Sequence, residues 1–289
     1  MPAEPPLRTI EHVFRRLIAA CFALLLPLTA ASTVSAWAAP ASSAKKTVTL
    51  PAPVPCPRCW HPDVQTSWQW QLSGTLDLSF DVQMYDVDMF ETSPAQVQAI
   101  QDAGHWAVCY IDAGTWENFR PDAGAFPKSV LGKGNGWPGE KWLDIRSKVV
   151  RRIMASRMDQ CAQKGFNGVE FDNVDGYANK TGFPLTAADQ LKYDVWLANQ
   201  AHLRQLSVAL KNDVDQVKRL LPYFDYSLDE QCFQYKECNG LKPFVAAGKP
   251  VFEVEYNLTS DQFCSQANAL NFNSLVKKLE LGPEREACR

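Results

Sequence analysis

Short apolar strands alternate with helical segments along most of this 289-residue chain. One helical segment, residues 186–206, begins with Thr186 and Asp189 at the spacing of a capping box. Such alternation is typical of a parallel sheet whose strands are joined by helices, and eight strands predict a closed (β/α)8 TIM barrel. The predicted strands are residues 68–72, 81–87, 105–112, 166–172, 206–211, 223–229, 250–256 and 274–281.

The first unit of this pattern departs from the rule. Leu72 and Asp81 are too close in sequence to hold a crossover helix, which needs a dozen or more residues. We therefore expect an irregular first βα unit within a single domain. An open, doubly wound sheet is the alternative architecture.

The N-terminus has the composition of an export signal. Arg15 and Arg16 precede an apolar run and then small residues, so residues 1–38 are predicted to be a cleaved signal peptide. A transmembrane anchor is the competing interpretation, but Pro27 interrupts the short run. Residues 39–55 are rich in Pro, Ala and Ser and are predicted to be a linker, which leaves residues 56–289 for the barrel domain. We expect a secreted protein without stable membrane insertion after signal cleavage.

Cysteine content agrees with export. Removal of Cys21 with the signal leaves eight of the nine cysteines, an even number that favours disulfides in an oxidising compartment. Cys232 and Cys238 are the first candidate pair. The remaining pairings stay open. Cys56 and Cys59 could instead form half of a zinc site, but no second CxxC follows, so no metal or other cofactor is expected.

The net charge of the chain argues against nucleic acid as a partner. The formal net charge is −3, and no basic run occurs after the N-terminal region, which is unlike a protein that neutralises phosphates. We expect a monomer that does not bind nucleic acid.

Charged residues recur where the predicted strands end. The stretch "GVEFDNVDGY" places Glu170 and Asp172 two apart on one face of a strand. In a parallel barrel such strand ends build the active site. Two carboxylates on facing strands are the minimum set for glycoside hydrolysis, and the fourth and sixth predicted strands offer Asp172 on one and Asp229 and Glu230 on the other. An aromatic side chain such as Trp116 can stack on a sugar ring. The other strand-end groups are Asp112, Lys211, Asn212 and Glu255.

Two alternatives belong to other functional classes. A non-catalytic barrel that binds an exopolysaccharide would not require a facing pair of acids. A metal-dependent hydrolase could use Glu170, Asp172 and Asp175, although the sequence lacks a loop of the calcium-binding type.

Several segments in order resemble glycoside hydrolase family 114, the secreted TIM-barrel endo-α-1,4-polygalactosaminidases: "VCYIDAG", "GWPGEKWLDIR", "GVEFDNVDGY", "LKND", "FDYSLDEQC" and "PVFEVEY". The resemblance implies an amino-sugar polysaccharide as substrate. It also implies Asp172 as nucleophile and Glu230 as acid/base, by analogy with barrel α-galactosidases. Phe171 stands where the family's motif has Pro. Tyr110, Asp112, Asn173, Asp175, Lys211 and Glu255 are expected to bind substrate, together with Trp116.

Overall fold

The computed structural model describes residues 48–289, and Leu50–Arg289 form one compact unit. The predicted signal peptide, residues 1–38, lies outside the described residues, as does most of the predicted linker. Backbone groups of Pro51, Ala52 and Val54 accept or donate hydrogen bonds with side chains of the barrel. Residues 51–54 therefore lie against the barrel surface.

Eleven strands occur in the described part of the chain. Eight of them run parallel, in the order β1-β2-β3-β6-β7-β8-β9-β10, and each corresponds to one of the eight strands predicted above. β11 adds to β10 in antiparallel fashion, and β4 and β5 form a separate hairpin after β3. The strands are β1 Trp68–Gln71, β2 Met84–Asp88, β3 Trp106–Asp112, β4 Thr115–Glu117, β5 Glu140–Trp142, β6 Gly168–Asp172, β7 Ser207–Lys211, β8 Tyr226–Glu230, β9 Val251–Glu255, β10 Asn273–Val276 and β11 Glu286–Ala287.

Seven α-helices cover the outside of the described sheet. The longer ones begin at residues that cap them: Ser93 before α1, Ser147 before α2 and Thr186 before α3 each accept a hydrogen bond from a backbone N–H of the first turn. The helices are α1 Pro94–Asp102, α2 Lys148–Lys164, α3 Ala187–Leu203, α4 Val217–Leu220, α5 Cys232–Tyr235, α6 Lys242–Ala246 and α7 Ser260–Ala269. None of them is long and apolar enough to cross a membrane.

The sheet curls until its first and last parallel strands meet. The indole N–H of Trp68 donates to the carbonyl of Asn273 at 2.8 Å, and Lys277 Nζ donates to Gln69 Oε1 at 3.0 Å. β1 passes directly to its neighbour β2 through residues 72–83, which contain no helix. The predicted barrel and its irregular first unit are both confirmed.

Because successive side chains of a strand point to opposite faces of the sheet, the core has two layers, one inside the barrel and one between the sheet and the helices. Inward-facing side chains fill the barrel, while the outward-facing ones pack under the helices. Polar residues replace apolar ones in the inward rows toward the carboxyl ends of β3, β6, β7 and β8. The inner apolar layer includes Trp68, Trp70, Met84, Val108, Ala209, Tyr226, Leu228, Phe252, Val254 and Leu275.

Four disulfides join the eight cysteines of the described residues. Cys232 pairs with Cys238 as predicted, and Cys56 pairs with Cys59. The others are Cys109–Cys161 and Cys264–Cys288. Cys109–Cys161 ties α2 to β3, the strand that carries Tyr110 and Asp112.

We predict that the Cys109–Cys161 bridge stabilises the domain more than Cys56–Cys59 does. Its partners are 52 residues apart against 3. When the stabilisation is calculated from the entropy that a disulfide removes from the unfolded chain, the longer loop adds about 4 kcal/mol to the unfolding free energy and the shorter one less than about 2 kcal/mol. Chemical denaturation of the two Cys→Ala double variants measures both losses of unfolding free energy. Equal losses would contradict the prediction.

Candidate active site

Lys211 joins the acidic side chains at the mouth of the barrel. Its ammonium lies 2.8 Å from Asp172 Oδ1, 3.1 Å from Glu230 Oε2 and 3.4 Å from Glu170 Oε1. The Lys211 side chain is 1% exposed, and its Nζ lies 4.9 Å from the centre of the Trp70 ring. Opposite charges held together out of water attract strongly, so this ammonium brings carboxylates from β6 and β8 to one point.

Asp172 is held as an anion. Besides Lys211, Tyr110 OH donates to its Oδ2 at 2.7 Å, and the backbone N–H of Asn173 donates to its Oδ1 at 2.7 Å. Burial alone would raise the pKa of Asp172, but the charge of Lys211 and these hydrogen bonds outweigh it and hold the pKa below its usual value. An ionised carboxylate in this position is suited to act as a nucleophile.

Glu230 shares the contact with Lys211 but otherwise has partners different from those of Asp172. The hydroxyl of Tyr256 contacts its Oε1, and its backbone N–H donates to Asn212 Oδ1 at 3.0 Å. A tyrosine hydroxyl can either donate or accept, so the Tyr256 contact suits both the ionised and the protonated carboxyl group.

The distance between the two carboxyl groups is bounded by their shared lysine. Since Lys211 Nζ lies 2.8 Å from one oxygen of Asp172 and 3.1 Å from one of Glu230, those oxygens are at most about 5.9 Å apart. Glycosidases that invert configuration place their carboxyl groups roughly 6.5–9.5 Å apart, and retaining enzymes roughly 5–5.5 Å apart. The pair lies nearer the shorter range.

A second acidic cluster lies beside Asp172. Asp112, Glu117 and Glu140 each offer an oxygen, and these oxygens lie within 4.8 Å of one another, close enough to surround one small cation. Arg120 Nε lies 2.8 Å from Glu117. Asn173 Nδ2 donates to Asp112 Oδ2 at 3.1 Å and to Asp172 Oδ2 at 3.3 Å, and so connects this cluster to Asp172.

Asp112 and Glu140 are held by neutral groups. Thr115 donates its N–H to Asp112 at 2.8 Å, and Asn135 donates to Glu140 at 2.6 Å. Burial, followed by the neighbouring negative charges, raises the pKa of Asp112 to about 7, and burial and the charge of Asp112 raise that of Glu140 to about 7. A cation bound beside these two carboxyl groups would favour their ionised forms.

Gly114 permits the close approach that connects the two clusters. A Cβ atom at this position would lie 1.7 Å from the carbonyl oxygen of Asn173. Asn173 itself has φ of 59°, in the left-handed region that Asn tolerates better than most residues. The backbone between β3 and β4 can therefore pass directly over the end of β6.

Three residues predicted to bind substrate lie away from Lys211. Glu255 faces outward from β9, where its Oε1 accepts N–H bonds from Phe233 at 2.8 Å and Gln234 at 3.1 Å. Asp175 accepts a hydrogen bond from Asn179. Trp116 lies on the β4–β5 hairpin, and its indole donates to a backbone carbonyl. Tyr110, Asp112, Asn173 and Lys211 are in the Asp172 cluster or directly beside it.

The sequence analysis did not single out two residues of the candidate site, Tyr256 and Glu140. Val254 faces into the barrel, so alternation turns Glu255 outward and returns Tyr256 to the inside, where it meets Glu230. Because Phe252 and Val254 face inward and alternate residues share a face, the sequence pattern of β9 would have predicted that Tyr256 also faces inward. Glu140 gave no such signal, because it is remote in sequence from every parallel strand and the hairpin brings it to Asp112.

A barrel with two facing carboxylates at the carboxyl ends of its strands has the machinery of a glycoside hydrolase. The chain belongs to glycoside-hydrolase family GH114, whose model matches residues 51–289. The resemblance found in the sequence is thus confirmed, and the protein is a glycoside hydrolase.

Solved structures support the same assignment. The crystal structure of Aspergillus fumigatus Ega3 in complex with galactosamine is 40% identical, with a TM-score of 0.76 over 79% of this chain and 97% of that one. The glycoside hydrolase domain of PelA from Pseudomonas aeruginosa shares the fold at 12% identity, with a TM-score of 0.62 over 76% of this chain and 98% of that one. An uncharacterized protein of Deinococcus radiodurans is 24% identical over 61% of this chain, which spans only 63% of that relative's length.

Several buried carboxyl groups couple the stability of the barrel to pH. Burial is the first cause that raises the pKa of Asp112, Glu140 and Glu170 to about 7 and that of Asp213 to about 8. Such groups bind protons more tightly in the folded than in the unfolded chain. Their stabilising contribution is therefore complete below the unfolded pKa of about 4 and is lost as pH rises through about 7–8.

We predict a higher melting temperature at about pH 5 than at about pH 8.5. Asp213→Asn should reduce the difference, because it removes one of these titrations while Asn tolerates the φ of 43° at this position. Thermal unfolding at both pH values measures the effect, with the exposed Asp102→Asn as control. A difference in Asp213→Asn as large as that of the wild type would contradict this explanation.

Proposed function

We propose that the protein is a secreted, endo-acting glycosidase that cleaves α-1,4-linked galactosamine polymers with retention of configuration. The observation that carries this proposal is that carboxylates from β6 and β8 both contact the ammonium of Lys211, which holds the two contacting oxygens within about 5.9 Å of each other. The 40% identity to a protein crystallised with galactosamine supports the choice of sugar.

In the first step, an oxygen of Asp172 attacks the anomeric carbon. The glycosidic bond breaks, and Glu230 gives its proton to the departing oxygen. In the second step, Glu230 takes a proton from water, the water oxygen bonds to the anomeric carbon, and Asp172 is released as a carboxylate. The hydrogen bonds to Asp172 and the Tyr256 contact at Glu230 suit this division of roles.

The acidic cluster beside Asp172 supports a cationic substrate. A galactosamine unit carries an ammonium group next to its anomeric carbon, and Asp112 and Glu140 offer carboxyl oxygens with neutral partners. An acetylated unit has no such charge. We infer that the enzyme prefers de-N-acetylated stretches of the polymer.

Exposed aromatic side chains support endo action. Phe119 is 61% exposed and Trp137 is 42% exposed, and both belong to the segment that joins β4 to β5, next to Glu140. Their faces can stack on sugar units beyond the cleavage point, as a long-chain substrate requires. The four disulfides support secretion, since they persist in oxidising compartments.

The decisive test is loss of activity in two variants. Asp172→Asn and Glu230→Gln should each lower kcat on de-N-acetylated α-1,4-galactosamine polymer by about 100-fold to 10,000-fold or more, because each removes a group that acts in the transition state. Release of reducing ends measures the rate. Size profiles of the early products show whether internal links are cut.

Asp102→Asn is the matched control, since this exposed acid at the end of α1 contacts Gln98 and belongs to no site described above. Melting temperatures show whether each variant is folded. Full activity in both catalytic variants would refute the site, whereas polymer binding without any cleavage by the wild type would favour the non-catalytic alternative.

A second prediction concerns the choice between amine and acetamide. Glu140→Gln should raise KM for the de-N-acetylated polymer about tenfold, the value of one charge-assisted hydrogen bond. KM for partly acetylated polymer should change less, since fewer ammonium groups are present. Equal changes in KM for the two polymers would show that Glu140 does not bind the amine.

A further inference from the structure

Arginine and phenylalanine side chains alternate beside the barrel mouth. Arg120 Cζ lies 5.2 Å from the centre of the Phe119 ring and 5.1 Å from that of Phe90. Arg157 Cζ lies 5.2 Å from the centre of the same Phe90 ring and 5.5 Å from that of Phe126. Each distance is within the range of attraction between a cation and an aromatic face, about 6 Å. The four contacts form one continuous series from Phe119 to Phe126, the Arg–Phe series.

The guanidinium of Arg120 is fixed by two strands. Its Nη1 and Nη2 donate to the two carboxylate oxygens of Asp88 at 2.9 and 2.6 Å, and its Nε lies 2.8 Å from Glu117 Oε2. Asp88 ends β2, Glu117 ends β4, and the Arg120 side chain is only 8% exposed. Two parallel hydrogen bonds to one carboxylate set the plane of a guanidinium as well as its position. Phe119 therefore rests on a rigid support.

Arg157 fixes the other end of the Arg–Phe series. It belongs to α2, and its Nε and Nη2 donate to the carboxylate of Asp122 at 2.8 and 2.9 Å. Its Nη1 donates to the carbonyl oxygen of Asp112 at 2.9 Å. Asp122 and Phe119 belong to the same segment between β4 and β5. That segment is therefore tied to α2 through Asp122 and to β2 through Arg120.

Phe119 is 61% exposed despite this support. Arg120 lies over one face of the ring, so the exposed area includes the opposite face. An apolar face held in water without freedom to move is unfavourable by itself, but it has little conformational entropy to lose when a ligand covers it. The C–H face of a sugar ring suits it, because an aromatic face attracts partial positive charge.

We propose that Phe119 is a specificity-determining residue for long polymer chains and that Arg120 is its positioning residue, which holds the ring so that its free face stacks on a sugar unit. This inference deepens the proposed function and rests on it for the identity of the polymer. The contacts that connect Asp172 with Phe119 pass through four other side chains, Asn173, Asp112, Glu117 and Arg120. The sugar unit on Phe119 is therefore a different one from the unit that Asp172 attacks.

Binding without turnover tests the role of Phe119. In an Asp172→Asn background, calorimetry measures the Kd of a long de-N-acetylated α-1,4-galactosamine oligosaccharide and that of the disaccharide. Phe119→Ala should raise the Kd of the long oligosaccharide about tenfold, because a stacked ring is lost, and that of the disaccharide much less. Phe119→Tyr keeps a flat ring and should bind the long oligosaccharide as the parent does.

Leu203→Ala is the matched control, since it shortens an apolar residue that is 59% exposed at the end of α3. It should leave both Kd values unchanged. Equal increases in Kd for the two lengths in Phe119→Ala, or no increase for the long oligosaccharide, would overturn the proposal.

A double-mutant cycle tests whether Arg120 acts through Phe119. Arg120→Lys keeps the charge but loses the flat guanidinium and its two-point contact with Asp88. Alone it should raise the Kd of the long oligosaccharide about three- to tenfold, whereas in Phe119→Ala it should add little. Melting temperatures show whether each variant is folded. An Arg120→Lys effect that remains undiminished without the Phe119 ring would show that Arg120 acts through Glu117 instead, and would contradict its assignment.

This inference and the proposed function can fail separately, because the binding measurements need no turnover. A length-dependent loss of binding in Phe119→Ala, with no cleavage of the polymer by the wild type, would count against the proposed function alone. Cleavage by the wild type, with equal losses of binding at both lengths in Phe119→Ala, would count against this inference alone.

Discussion

The buried ammonium of Lys211 is the interaction on which the site depends. Carboxylates at the ends of separate strands repel one another, and bringing them together out of water requires an opposite charge among them. Lys211 rises from β7, between β6 and β8 in the sheet, and reaches carboxylates of both neighbours. The strand order of the barrel thus places the cation between the carboxylates of Asp172 and Glu230.

The same constraint explains the layers of the barrel interior. Apolar side chains fill the lower part, where Trp68 and Phe252 pack, and the acids at the carboxyl ends of β2, β6 and β8 contact Arg120 or Lys211. The outer side of β9 differs, since Glu255 there binds N–H groups at the start of α5. Two acids that look equivalent at strand ends, Glu230 and Glu255, have different surroundings because they point to opposite faces of the sheet.

Much of this could be predicted from the sequence. Strand and helix periodicity indicated the eight strands, and acids two apart in "GVEFD" indicated a charged inner face. What could not be predicted depends on long-range placement. Glu140 comes close to Asp112 only because β4 and β5 pair as a hairpin. Residue spacing along the chain does not predict such long-range contacts. The alternation in β9, in contrast, would have predicted that Tyr256 faces inward and Glu255 outward.

The central claim is that Asp172 and Glu230 act as a retaining pair drawn together by one lysine. Proton NMR of freshly formed reducing ends, recorded before mutarotation, tests it most directly. The account predicts that the α anomer of the galactosamine end appears first and that the β anomer grows in later. Initial release of the β anomer would show inversion and would contradict the retaining mechanism that we propose from the contacts at Lys211.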